Sequence, residues 1–299
     1  MLEISKENMS QKDWQEVLEI INKKAPNYFN EFIKSNEIYL PNQNSKNPFD
    51  KDRFSITAKS LNKKKPGSWI PLYNLKELSN YFIDNNIFPI RSGSAQFFFY
   101  KGNIFFDLTS INFKNININN ISSLENFIPI TLTSDFLRNE NAYLNKAIAK
   151  GVINHFVDTN DLKTYKHKLE NKRLLYGQFG KLKTTKELIF KTSKENNIIE
   201  KGFQFEIDMI LENRDEIFIF EAKLGKTFKT NFSLLQLYYP YIYIKSIINS
   251  QKKIRTIFID ITTKDSLEIY RLVEFEFKNG NFDESSVLKS WKYEIGFIQ

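Results

Sequence analysis

The chain contains no cysteine and only two histidines, His155 and His167. The first absence excludes disulfides, cysteine-ligated zinc, cysteine-held iron–sulfur clusters and thiol nucleophiles. The second excludes a histidine-rich metal centre and argues against a Ser–His–Asp triad. Long hydrophobic runs are missing too. No stretch approaches ~18 uninterrupted apolar residues, so no membrane span is expected. The N-terminal run Met1-Leu-Glu-Ile-Ser-Lys-Glu-Asn8 lacks the apolar core of a signal peptide. The expectation is a soluble, intracellular (cytoplasmic) protein.

What is present argues for a folded chain with a polyanionic partner. At 299 residues it is long enough for one large domain or two small ones. A hydrophobic fraction of 41%, with 28 Phe and 14 Tyr, is that of a packed core and not of a disordered chain. The formal net charge is +8, which suits phosphate neutralisation. Much of that charge is lysine in an Asn-, Ile- and Lys-rich composition typical of AT-rich coding, so a solvated basic surface is the competing reading.

Helical spacing of Trp14, Val17, Leu18 and Ile21 predicts a helix within the first 40 residues, ended or interrupted by Pro26. A polar stretch follows from Pro41 to Pro71. It carries Lys59, Lys63, Lys64 and Lys65, read either as a solvated loop or as a phosphate-contacting one. Leu75 to Phe82 reads as a short helix. Strands are expected on either side of a Lys101-Gly102-Asn103 turn. Arg91, Ser92, Ser94 and Gln96 gather polar donors just before them, either to read DNA or to hold a turn. The Asn-rich stretch from Asn112 to Asn120 is a boundary candidate, although its Ile116 and Ile118 also fit a strand. Asp135 to Lys150 reads as a helix stopped by Gly151, and Asp161 to Leu169 as a second helical piece. Lys172, Arg173, Lys181 and Lys183 belong to the densest basic region. Downstream, helix is expected from Phe232, a buried strand from Ile254 to Ile261, and a closing hairpin around Asn279-Gly280. The organisation expected is an α+β region over residues 1–130, the expected seat of DNA recognition, followed by a catalytic domain over 131–299 with a C-terminal hairpin. The fold class is α/β (α+β), a mixed β-sheet core flanked by helices.

The most telling stretch is Phe203-Gln-Phe-Glu206-Ile-Asp208-Met-Ile-Leu211, joined by Glu212-Asn-Arg-Asp-Glu216 to Ile217-Phe-Ile-Phe220-Glu221-Ala222-Lys223-Leu224. Two strand-like apolar runs each carry a carboxylate, which is costly to desolvate unless it is paired or bound to a metal. Asp208 and Glu221 are two hard oxygen ligands, and the Ala222 carbonyl is a candidate third. Mg²⁺ accepts few protein oxygens and keeps its waters. Lys223, two positions beyond Glu221, shares its face of the strand. Its ammonium is suited to orient a water, to stabilise a phosphorane or, if its pKa were lowered, to act as a base. By the same alternation Glu206 is expected beside Asp208. Gln236 on the following helix is expected to orient Lys223 or a phosphate. Glu187 is a lesser candidate on an expected upstream helix. The bare spacing is unspecific: Asp158 precedes Glu170-Asn-Lys172, and Asp260 precedes Glu276-Phe-Lys278. Only Glu221-Ala222-Lys223 sits in an apolar frame. A salt-bridged hairpin with Glu206, Asp208 and Lys223 on a solvent face is the alternative.

Glu206-Ile-Asp208 through Glu221-Ala-Lys223 resembles the PD-(D/E)xK nuclease superfamily, particularly type II restriction endonucleases. Gln236-Leu-Tyr-Tyr-Pro-Tyr241 is similar to the Gln-plus-Tyr helix of several branches. Asn139-Glu-Asn-Ala-Tyr-Leu-Asn-Lys-Ala-Ile-Ala-Lys-Gly151 resembles a segment of restriction-enzyme-like proteins. The likeness covers roughly residues 135–261, and Ile207 stands where the motif name has proline. It implies a four-stranded mixed core sheet, Mg²⁺ dependence, double-stranded DNA as substrate and a homodimer. A cognate DNA methyltransferase is the expected genetic partner. The rival readings are a repair or recombination nuclease and a non-catalytic nucleic-acid-binding module, separable by discrete cutting and by metal-independent, salt-sensitive binding.

Overall fold

The computed structural model describes residues 19, 28–34, 39–40, 75, 78, 80–91, 97–117, 139–158, 175–177, 180–183, 187–194, 197–201, 204–213, 215–248, 251–264 and 267–296. In chain order the early elements are α1 (Tyr28–Lys34), β1 (Tyr39–Leu40), α2 (Asn80–Asp84), β2 (Ile87–Arg91), β3 (Phe97–Lys101), β4 (Phe105–Asp107) and β5 (Lys114–Ile116). Next come α3 (Glu140–Ala149), α4 (Val152–Asp158), β6 (Leu175–Gly177), β7 (Gly180–Lys183), β8 (Glu187–Lys191), β9 (Asn197–Lys201), β10 (Gln204–Ile207) and β11 (Met209–Glu212). The chain continues with β12 (Glu216–Gly225), β13 (Asn231–Ser233), α5 (Leu235–Ile247), β14 (Lys253–Lys264), β15 (Leu267–Phe277) and β16 (Ser285–Gly296). These elements group into two interleaved units. The first gathers residues 1–107, 183–204 and 231–234, and the second 108–182, 205–230 and 235–299. The boundary expected near residue 130 lies outside the described residues.

In the first unit β3 is flanked antiparallel by β2 and β1, and β4 pairs antiparallel with β13. Phe82 and Phe99 stack at 5.6 Å and Tyr100 meets Phe190 edge-on at 6.0 Å. The two strands expected on either side of the Lys101-Gly102-Asn103 turn are present as β3 and β4, and they do not pair with each other. Gly102, at φ 150°, turns the chain away after donating its N–H to the Asn86 carbonyl, and β4 finds its partner more than 120 residues later.

The second unit is built on a seven-stranded sheet in the order β5-β16-β15-β14-β12-β11-β6. Its mixed α+β architecture is that of the expected class, with more strands than the four expected. β12 and β14 run parallel, as do β16 and β5, while β11 with β12, β14 with β15 and β15 with β16 run antiparallel. A parallel pair needs a crossover, and α5 supplies it, packing on β12 and β14. Alternation along β12 divides the core. Phe218, Phe220 and Ala222 join Leu144, Ile153 and Phe156 of α3 and α4. Ile217 and Ile219 instead meet Ile244 of α5. The helix before Gly151 begins at Glu140 with Asn139 as its cap, the Asn139 Oδ1 accepting from Ala142 N at 3.0 Å. Gly151 adopts φ 68°, the left-handed turn that ends α3 and releases α4. Phe232 lies on β13 and not on the helix expected there, which starts at Leu235.

One buried ion pair ties the sheet to α4. Arg255 on β14 grips Glu274 on β15 with two parallel bonds of 2.7 Å and donates a third, at 2.6 Å, to the Val157 carbonyl. Among the described residues no helix is long and apolar enough to cross a membrane.

Candidate functional site

The β11–β12 hairpin is closed by Asn213, whose Oδ1 accepts from Asp215 N at 2.9 Å and Glu216 N at 2.7 Å. That closure fixes the register Met209↔Phe220, so the next pair outward is Asp208 and Glu221. There the first strand breaks. Asp208 is a bend between β10 and β11, and its Oδ2 accepts from the Ala222 N–H at 2.7 Å. The carboxylate has replaced a ladder partner. In a strand, a residue's N–H and C=O face the same neighbour, so the Ala222 carbonyl is directed to the edge that Asp208 occupies.

Glu221 is buried, with 3% exposure. Its Oε1 receives the Lys223 ammonium in a very short contact and the Gln236 Nε2 at 2.6 Å. Burial pushes the Glu221 carboxyl up to about 8; Lys223 pulls it back, while the negative charges of Asp208 and Glu140 raise it further. Lys223 is driven down by burial, but its attraction and hydrogen bond to Glu221 outweigh this and leave its pKa raised. The lowered pKa that a lysine base needs is therefore not what this setting produces.

Glu140 is the residue that motif reading missed. It opens α3, and its Oε1 accepts from the Leu224 N–H at 3.3 Å. A carboxylate 84 residues distant in sequence thus meets the strand just beyond Lys223. The sequence signal near it is the segment 139–151, whose resemblance does not single out Glu140.

Two observations bear on a metal. The negative charges of Asp208 and Glu140 add to the cost of ionising buried Glu221, a setting that a divalent cation relieves. The Oε1 of Gln236, which turns its Nε2 to Glu221, is buried without a hydrogen-bond partner. Asp208, Glu221 and the Ala222 carbonyl fit Mg²⁺, which needs one or two carboxylates and keeps several waters. Among the described residues no three acidic or histidine side chains converge as a complete cage, so water would have to fill the remaining positions.

The other sequence candidates fall elsewhere. Glu206 on β10 is exposed, and its charge is not among those acting on Glu221; the bend at Asp208 interrupts the alternation that would align them. Glu187 stands exposed on β8, not on a helix, because Glu187 to Lys191 alternates out and in. Arg91 ends β2, and Lys181 and Lys183 lie on β7; their side chains lie outside the description. Ser92, Ser94, Gln96, Lys172, Arg173 and the cluster Lys59, Lys63, Lys64 and Lys65 lie outside the described residues.

Residues 100–294 match a family model described as a domain of unknown function, DUF6997. No curated protein and no solved structure matches the chain. The match spans more than half of the sequence, and the chain belongs to the DUF6997 family.

Proposed function

We propose that this chain is a Mg²⁺-dependent nuclease that hydrolyses phosphodiester bonds of double-stranded DNA. In its finer form the reading is a type II restriction endonuclease with PD-(D/E)xK chemistry, dimeric so that one site serves each strand. One observation carries it: buried Glu221 is held by Lys223 and Gln236 while Asp208 is bonded to the backbone of Ala222 between them. Against the alternative of Glu206, Asp208 and Lys223 on one solvent face, only Glu206 is exposed, while Asp208 and Lys223 are half-buried and Lys223 is bonded to buried Glu221.

The residues divide the work as follows. Asp208, Glu221 and the Ala222 carbonyl would hold the ion. Bound there, Mg²⁺ supplies Lewis-acid activation of a water and neutralises phosphate charge. Lys223, kept cationic, orients that water and stabilises charge developing on the phosphorus oxygens. Gln236 fixes the Glu221 rotamer through Nε2.

Incubation of unmethylated plasmid or phage DNA with the protein, in Mg²⁺ and in EDTA, tests the reading. Discrete Mg²⁺-dependent fragments are expected. A smear would remove sequence specificity and leave a nuclease. Intact single- and double-stranded DNA in Mg²⁺ would sink the reading.

A further inference from the structure

Beyond Lys223 the chain leaves the sheet through Gly225-Lys-Thr-Phe-Lys-Thr230, and this loop is pinned. The Lys229 N–H donates to Asp260 Oδ1 at 3.1 Å, and the Thr230 carbonyl accepts from Leu108 N at 2.8 Å. Phe228 meets Phe113 edge-on at 6.3 Å, and its ring lies 4.6 Å from the Arg271 guanidinium. Asp260, 1% exposed, holds the arrangement together. Its Oδ2 takes Arg271 Nη1 at 2.9 Å and the Thr262 hydroxyl at 3.1 Å. Arg271 Nη1 also donates to the Thr262 Oγ1 at 2.9 Å. A buried carboxylate thus fixes the backbone of a loop whose lysines, Lys226 and Lys229, remain exposed.

Strand register gives this cluster a direction. Lys223 pairs with Asp260, Asp260 with Arg271, Arg271 with Lys292, and Lys292 with Asn115. Directly paired residues stand on one face of a sheet, so one polar row leads from the site lysine to the far edge. With strands about 4.8 Å apart, Lys223 and Lys292 are separated by about 14 Å. That accommodates a few nucleotides at about 3.4 Å of axial rise per strand. Along the row and loop stand Lys223, Lys226, Lys229, Arg271 and Lys292. The opposing carboxylates are buried Glu221, bonded to Lys223, buried Asp260, and the exposed Glu294, 2.5 Å from Lys292.

We propose that the loop Gly225–Thr230, with Arg271 and Lys292, is a phosphate-binding track that receives the backbone of a nucleic-acid strand on the Lys223 side of the site. The proposal rests on the nuclease reading for its polymer, and not for its electrostatics.

The test is anisotropy of a fluorescein-labelled duplex of about 30 base pairs with the full chain, in EDTA, from about 50 to about 200 mM salt. Each lost phosphate contact flattens the plot of log affinity against log salt by about one. Lys226→Ala/Lys229→Ala is expected to flatten it by about two and Lys292→Ala by about one. Lys253→Ala, exposed at the opposite end of β14, is expected to leave it unchanged. These are surface lysines, and circular dichroism verifies that each variant folds. An unaltered slope in the double variant overturns the track, as does equal flattening by Lys253→Ala or a wild type that does not bind the duplex. Altered slopes in a protein that cuts no DNA would sink hydrolysis and leave the track standing.

Discussion

Gln236 donates its Nε2 to Glu221 Oε1 at 2.6 Å, the same oxygen that receives the Lys223 ammonium. This donor favours the ionised form of an acid that burial has pushed up to about 8. Replacing Gln236 by leucine removes it. Gln236→Leu should slow DNA cutting about tenfold to a hundredfold, the size of one lost buried hydrogen bond. It should also move the acid limb of the rate profile to higher pH. A slower enzyme with an unmoved limb would mean that Gln236 is structural and does not tune Glu221.

Glu221 also ties stability to pH. Its folded pKa, about 8, lies above its ordinary 4.5, so the folded state holds its proton more tightly. The resulting stabilisation is complete below about 4.5, declines as pH rises toward 8, and is absent above. In EDTA the melting temperature should fall across that window, and Glu221→Gln should flatten the fall. Saturating Mg²⁺, which binds the ionised form, should raise Tm at pH 8 by a few degrees, as expected for about 2–3 kcal/mol of ligand stabilisation. At pH 5 the rise should be much smaller. Equal Mg²⁺ shifts at both pH values would place metal binding elsewhere.

Glu140 acts on Glu221 in the opposite sense to Gln236, because its negative charge raises the Glu221 pKa. Glu140→Gln is therefore expected to shift the acid limb to lower pH. If its carboxylate also assists the metal, the Mg²⁺ concentration for half-maximal cutting should rise about tenfold or more. An unchanged profile with unchanged Mg²⁺ demand would confine Glu140 to its bond with Leu224.

Arg255 and Glu274 form a buried fork remote from the site chemistry. Glu274→Ala removes the fork, leaving Arg255 the Val157 carbonyl and Glu216 at 3.6 Å, and should cost about 1.5–3 kcal/mol in urea unfolding. Arg255→Met/Glu274→Leu should recover most of that loss. If the single variant lost less than about 1 kcal/mol, the pair would be solvated and the β14–β15–α4 junction loose.

The hairpin site was legible because both of its strands carry an apolar pattern that a carboxylate visibly violates. Asp208, Glu221 and Lys223 lie together on the hairpin, while Gln236, expected to orient Lys223 or a phosphate, bonds Glu221 instead. Glu140 was not legible, since an acid in the first turn of a helix is ordinary and only tertiary packing brings it to Leu224. Glu187 could have been read correctly, because Glu-Leu-Ile-Phe-Lys alternates with period two. The pairing of β4 with β13 was beyond local pattern: each strand has three residues and the partners are far apart in sequence. Glu206 was misjudged because a bend, invisible in the pattern, resets the faces at Asp208.

Shortening the chain to the family's own limits would have a cost that the match alone does not reveal. Residue 100 falls inside β3. A fragment starting there loses β2 and the first part of β3, and with them Phe82, Ile87, Phe88, Ile90 and Phe99 from a shared core. Phe105 would lose its edge-on partner Phe88, and exposed apolar surface of this kind invites aggregation during expression. Production of the family segment is therefore expected to need α2, β2 and the start of β3 ahead of it.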